Sequence, residues 1–190
     1  MATIAGVECR DGALLVADRV RTRGGRILTR DADHLVDLGA VGAASVGGDP
    51  DRFADELDAA VRSYRLERGD PRIDAACRLA AEALGGDAAA VVAARDEEGR
   101  PRVRALDDGG TTPADPVAAR GSGAAFVLGA VEGLAWDGSG EDAGSGKGGE
   151  DGGPPIDDAA DALASAFAAA AERDPATGSD LDRYRLRAEE

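Results

Sequence analysis

The sequence predicts an α+β fold in which two antiparallel sheets lie between two helical layers. Short apolar strands precede any helix, helices come in two separate pairs with strands between them, and a last strand closes the chain. At 190 residues the chain has the length of one compact domain spanning residues 1–190, and 43% hydrophobic residues in patterned blocks argue for folding over disorder.

Residues 3–9 read as a strand, Asp11-Gly12 as a tight turn and residues 13–17 as a nearly continuous apolar strand, together a buried hairpin. After Arg23-Gly24-Gly25, short strands are expected over 26–29, 34–38 and 42–46, so five strands come before the first helix. Asp49-Pro50 marks that helix, with an N-cap acid ahead of a proline at the first helical position. Phe53, Leu57, Val61 and Tyr64 carry its period toward Gly69, and a second helix runs from about Pro71 to Gly85-Gly86. Residues 88–95 and 102–106 flank a charged turn and form a hairpin. Gly121-Ser122-Gly123 opens a short apolar helix over 124–134, an Ala-rich helix covers 157–172, and 180–187 is the closing strand. Residues 137–155 carry eight glycines and no apolar period, which predicts a flexible surface loop.

Charge excludes several functions. With 37 acidic against 22 basic residues the net charge is −15, which argues against nucleic acid or an anionic membrane as a partner. Lys147 is the only lysine and aromatics make up 3%, a balance of the kind that keeps proteins hydrated in concentrated salt, so the composition reads as halophilic. No apolar run reaches the roughly 18 residues of a membrane span and the start lacks a signal-peptide pattern, which together predict a cytoplasmic protein. Cys9 and Cys77 stand alone in apolar patterns and read as reduced core residues; no metal or cofactor signature is present.

Four segments resemble the β-type subunits of archaeal and bacterial 20S proteasomes, a family of N-terminal-nucleophile hydrolases. They are the opening hairpin from Thr3 through Asp11-Gly12 to Asp18-Arg19, Tyr64-Arg65-Leu66 with Arg68, Gly121-Ser122-Gly123 running to Gly129, and the turn from Arg173-Asp174 to Thr177-Gly178. The resemblance covers nearly the whole chain outside 137–155. It implies a four-layer αββα sandwich, threonine-protease ancestry, and assembly into a ring with copies of itself or with other proteasome-like subunits, with peptide as the substrate. Entering the first strand at once, without the extra N-terminal helix of the α-type subunits, the chain resembles the β branch.

The family's reaction requires a free α-amine on the residue that carries the attacking hydroxyl, because that amine takes the hydroxyl proton. The resemblance places the threonine sixteen residues before the first acid and a lysine sixteen after it. Here the acid is Asp18, and those positions hold Ala2 and His34. The supporting residues match better: Asp18, Ser122, Asp174 and Thr177 correspond to the acid, the serine, the second acid and the last hydroxyl, and the backbone near Gly47-Gly48 to the oxyanion site. The reading that follows is a subunit that kept its frame and lost its reaction, with no propeptide ahead of Ala2. Two alternatives stay open: cleavage after Ala2 exposes Thr3 as a nucleophile, with His34 or the new amine as base, or the fold serves as a non-enzymatic scaffold or binding protein. Asp18 and Asp174 also admit a structural role, capping turns and pairing with Arg19 or Arg173. Lys147, inside the glycine-rich loop, is not a catalytic candidate.

Overall fold

The computed structural model describes residues 1–107, 110–111, 114–131 and 153–189. Most of the predicted loop at 137–155, with Lys147, and the predicted helix end at 132–134 lie outside them.

Strand β1 (Thr3–Cys9) pairs antiparallel with β2 (Gly12–Asp18), which is followed by β3 (Arg21–Arg23), β4 (Arg26–Thr29), β5 (Leu35–Asp37) and β6 (Gly42–Val46). Helices α1 (Pro50–Arg68) and α2 (Ile73–Ala83) come next, then β7 (Ala89–Arg95), β8 (Pro101–Asp107), β9 (Gly110–Thr111) and β10 (Val117–Gly121). Helices α3 (Ala124–Val131) and α4 (Ile156–Ala171) precede β11 (Leu181–Arg187). One sheet has the order β10-β1-β2-β11, the other β5-β6-β7-β8-β9, and β3 pairs only with β4.

The period of two along each strand sorts the core into three slabs. Ile4, Leu15, Ala17, Ala44, Val91 and Val103 fill the space between the sheets. Ala43, Ala90 and Val92, on the opposite face of their strands, receive Phe53, Leu57 and Val61 of α1 and Ala76, Cys77 and Ala80 of α2. Val7, Leu14 and Val16 face the other way, onto Val127 of α3 and Leu163 and Phe167 of α4. The result is the expected four-layer αββα sandwich, in the order α1/α2, second sheet, first sheet, α3/α4.

The sheets approach closely because small residues line the gap. A Cβ on Gly6 would lie 2.7 Å from Val103 Cγ1 and 2.8 Å from Leu15 Cδ2. At one end the sheets are joined by Glu8 of β1, whose carboxylate accepts the Val103 N–H at 2.8 Å, Arg102 at 3.1 Å and Arg104 at 3.2 Å, all on β8. At the other end Tyr184 of β11 lies over Gly42 of β6 and donates its hydroxyl to the Gly39 carbonyl at 2.6 Å.

Local readings needed correction in several places. The hairpin turn is Arg10-Asp11, and Gly12 is a strand residue opposite Cys9, where a Cβ would come 2.5 Å from the Leu186 carbonyl oxygen of β11. Asp49 sits at the N-cap of α1 without bonding a helix N–H; its carboxylate pairs instead with Arg21 at 3.3 Å. Helix α2 begins at Ile73 rather than Pro71. Six strands precede α1 where five were expected, because the short polar β3 has no apolar period to reveal it. Strand β10 also went unpredicted, and it matters most: it pairs with β1 and sets Gly121 opposite Thr3.

The Gly42–Tyr184 contact supplies a test of the packing between sheets. Gly42→Ala places a methyl inside the Tyr184 ring, and overpacking of this kind costs about 1–3 kcal/mol. Thermal unfolding is expected to shift down accordingly; an unchanged midpoint would show that Tyr184 can move away freely.

Candidate active site

The candidate residues are carried by four segments: the start of β1, the end of β2, the β10–α3 turn and the α4–β11 turn. Antiparallel pairing accounts for the meeting. Ile4 faces Ala17 and Leu181 faces Asp18, so the beginning of β1, the end of β2 and the entry to β11 share one end of the first sheet. Pairing of Thr3 with Gly121 brings the β10–α3 turn to the same place.

Asp18 is fully buried at this junction. Its carboxylate accepts three backbone N–H groups, from Thr3 at 3.1 Å, Val20 at 3.0 Å and Gly178 at 2.9 Å. Neighbouring Arg19 turns outward to Asp31, Asp33 and Asp182, which excludes the Asp18–Arg19 pair considered from sequence. Burial raises the Asp18 carboxyl from an ordinary 3.8 to about 6, against the lowering effect of the three N–H donors.

Thr3 is also fully buried. Its Oγ1 accepts the Gly123 N–H at 2.9 Å and lies 2.8 Å from Thr177 Oγ1, which donates to Asp174 Oδ2 at 2.7 Å. Hydroxyl stoichiometry then sets the direction of the chain. Thr177 has spent its one proton on Asp174, so Thr3 must donate to Thr177. Gly123 is required here, since a Cβ would come 2.5 Å from Thr177 Oγ1 and 2.9 Å from Thr3 Oγ1. Burial acts to raise the Asp174 carboxyl, and hydrogen bonding outweighs it: with Ser122 nearby, the Thr177 hydroxyl and the Ala176 N–H donate to it and hold it below the usual carboxylate range. Arg173 does not pair with Asp174; it donates to the Ala169 carbonyl at 3.0 Å.

Ala2 is buried among the residues between the sheets, with its carbonyl against Gly121. Ser122 donates to the Met1 carbonyl at 2.6 Å and the Met1 amine bonds Thr22 Oγ1, so the segment before β1 is held in place. The nitrogen of Thr3 is therefore an amide that donates to Asp18.

His34 is buried and takes no part in this network. Nδ1 lies 3.0 Å from the Ser45 carbonyl oxygen and Nε2 lies 3.1 Å from that of Val20. Gly47 and Gly48, with φ of 76° and 56°, turn the chain from β6 toward α1 beside Ala88, and no hydrogen bond joins them to Thr3. The structure thus brings together Thr3, Asp18, Ser122, Asp174 and Thr177, and leaves His34, Gly47 and Gly48 outside the hydrogen-bond network. Sequence reasoning missed the working parts of Gly123 and Gly178, which act through their N–H groups; the only signal was their place in the two turn motifs.

The family model for proteasome subunits matches residues 2–144. Among curated relatives, a probable proteasome subunit beta type-1 of Schizosaccharomyces pombe is 32% identical over 139 residues, covering 67% of this chain and 60% of the relative. A proteasome subunit beta of Halobacterium salinarum is 31% identical over 140 residues, with 68% and 57% covered. Proteasome subunit beta 1 of Thermococcus gammatolerans is 30% identical over 156 residues, with 75% of each covered. The chain spans about three fifths of the length of the first two.

Two measurements test the site's geometry. Asp18→Ala strands three buried N–H groups, each worth about 1–3 kcal/mol, and is expected to lower the unfolding free energy at neutral pH by at least about 2 kcal/mol. Burial lowers the His34 pKa from its ordinary 6.5, against the two carbonyl contacts and aided by nearby Arg21. As His34 is the chain's one histidine, a nitrogen-detected titration reads it directly and should show a midpoint below 6.5. Because the folded state resists protonation, His34 makes stability fall as pH drops below 6.5; Asp18, raised to about 6, makes stability rise as pH falls from about 6 toward 3.8.

Proposed function

Because the chain belongs to the β-type proteasome subunit family, we propose that it is a proteasome-β-like subunit of threonine-protease ancestry whose peptide-hydrolysing chemistry is impaired. Its role is then architectural, in a ring with its own copies or with other proteasome-like subunits. The observation that carries this reading is the state of the two positions to which the resemblance assigns the chemistry. Ala2, in the threonine's place, has no hydroxyl and is packed between the sheets. His34, in the lysine's place, faces main-chain carbonyls with both ring nitrogens. On this reading neither the threonine's hydroxyl nor the lysine's amine is present there, although the acids and hydroxyls still bind the strand ends together.

The hydrogen-bond chain from the Gly123 N–H through Thr3 and Thr177 to Asp174 favours a second reading. A threonine hydroxyl held this way, with its nitrogen on Asp18, would become an amine-bearing nucleophile if the Ala2–Thr3 bond were cut. While Ala2 is attached the nitrogen is an amide, and an amide cannot accept the hydroxyl proton. A free-standing scaffold on the same fold is the non-enzymatic alternative.

Intact mass and peptide hydrolysis decide among these. The expected result is a chain that retains Ala2 and does not hydrolyse fluorogenic peptides, while the double substitution Ala2→Thr, His34→Lys gains hydrolysis once Met1 is removed. A chain that begins at Thr3 and reacts with an electrophile directed at N-terminal threonine supports the second reading and overturns the first. A species that stays monomeric in light scattering supports the scaffold.

The halophilic, cytoplasmic character belongs to the same proposal, supported by the net charge of −15 and the single lysine. Salt screens repulsion among surface carboxylates, so the unfolding temperature is expected to climb between about 0.1 M and about 2 M KCl. A flat profile would count against salt adaptation.

A further inference from the structure

Arginine concentrates where the two helices of one outer layer meet. In a chain of net charge −15, Arg65, Arg68 and Arg72 cluster at the α1–α2 junction. Gly69, at φ of 77°, stops α1 in left-handed backbone and α2 starts at Ile73, so Arg68 comes from the last turn of one helix and Arg72 from the N-cap of the next. Between them and the ends of β7 and β11 lies a cavity of about 550 Å³, within the size range of small-molecule sites. Tyr64, Arg68, Arg72, Arg95, Glu97 and Glu189 give it a polar wall. Glu189 follows β11 at the end where Arg187 faces Gly12, opposite the end where Leu181 faces Asp18, so the cavity is separate from the Thr3–Asp18 network.

Some of these charges are already spent on the fold. Arg65 Nε holds Asp70, another wall residue, at 2.6 Å. Arg95 holds Glu189 at 3.2 Å and donates to the Gly99 and Arg187 carbonyls at 2.9 Å and 2.7 Å. Arg68 and Arg72, by contrast, have no ion pair among the described residues. Arg68 is steadied by Tyr64, whose ring centroid lies 5.5 Å from its guanidinium carbon. Arg72 stands where the helix dipole favours an acid and gives α2 no side-chain cap, while Asp74, the acid of that first turn, lies outside the cavity wall. A residue that opposes its local structure without a compensating contact marks a functional position. Once the two internal pairs are set aside, two guanidiniums on the wall face one carboxylate, Glu97.

We propose that this cavity binds a small phosphate ester, its phosphate accepting from Arg68 and Arg72 and the hydroxyls of its organic part donating to Glu97. Guanidinium suits the first task because its planar fork bonds two phosphate oxygens at once, and the start of a helix favours the same charge. Glu97 sets the selectivity. A carboxylate on the wall repels a bare anion, whereas it accepts the hydroxyls of a sugar or polyol, so an ester gains there what inorganic phosphate loses. Ala40, Pro71 and the Tyr64 ring are the apolar part of the wall, too little surface to hold a hydrophobic ligand.

The inference stands apart from the functional reading above and from catalysis. Isothermal titration calorimetry on the full chain at one fixed, low ionic strength tests it, with ribose 5-phosphate, ribose and inorganic phosphate as probes. Ribose 5-phosphate is expected to saturate one site and to bind more tightly than inorganic phosphate, and ribose not to bind. Arg68→Gln/Arg72→Gln should weaken the ester at least about tenfold. Arg62→Gln, which removes an arginine of the same helix that pairs with Asp58, should leave its affinity unchanged. Glu97→Gln should weaken the ester and strengthen inorganic phosphate. All four positions are exposed, so these variants should keep the wild-type circular dichroism. Absence of saturable binding, a folded double variant that binds as the wild type does, or an equal loss in Arg62→Gln overturns the site. Inorganic phosphate bound as tightly as the ester overturns the part given to Glu97.

Discussion

The buried carboxylate of Asp18 is the constraint on which this end of the molecule depends. A charge in an apolar interior is costly unless it is bonded, and here three main-chain N–H groups from three segments bond it. Thr3 belongs to the first strand, Val20 to the exit from the second, and Gly178 to the turn before the last. One side chain therefore fixes where three backbone segments meet, and it does so without a cation. Its raised pKa of about 6 measures the cost that remains after those bonds are made.

The hydroxyl chain beside it follows from the same convergence. Once Asp18 holds the Thr3 and Gly178 nitrogens, the side chains of Thr3 and Thr177 are close enough to bond, and Asp174 terminates the series as an acceptor. Both acids thus have structural duties independent of any reaction. This gives a physical reason for the fold to keep these residues whatever chemistry the site performs. Their retention is no measure of activity.

The layer order was legible in the sequence because it depends on period. Apolar and small residues run almost unbroken along the strands that became β1, β2, β6 and β7 and recur every three or four residues in α1 and α4, so the strands announced burial on both faces and the helices on one. What could not be read was carried by main chain. Strand β10 and the N–H groups of Gly123 and Gly178 leave little trace in side-chain pattern, yet they place the Thr3 hydroxyl and the Asp18 carboxylate. The Asp49 cap failed for a related reason: the motif identified a helix start correctly, but a neighbouring arginine from a distant strand competed for the carboxylate. Site residues were found as a set through resemblance; their mutual geometry required the fold.

The scarcity of lysine is where composition and site meet. A surface can exchange lysine for arginine with little consequence, but a buried position cannot, because guanidinium is larger, always charged, and demands several acceptors. At position 34 the chain holds an imidazole, which can be neutral and needs fewer partners. Two main-chain carbonyls, from Val20 and Ser45, lie against its nitrogens; burial favours the uncharged ring, which can donate to only one of them. The charged form of Asp18 is favoured chiefly by its three N–H donors, with a smaller contribution from the N-terminal amine. Asp18 is thus an acid that main-chain donors hold without an ion-pair partner among the described residues.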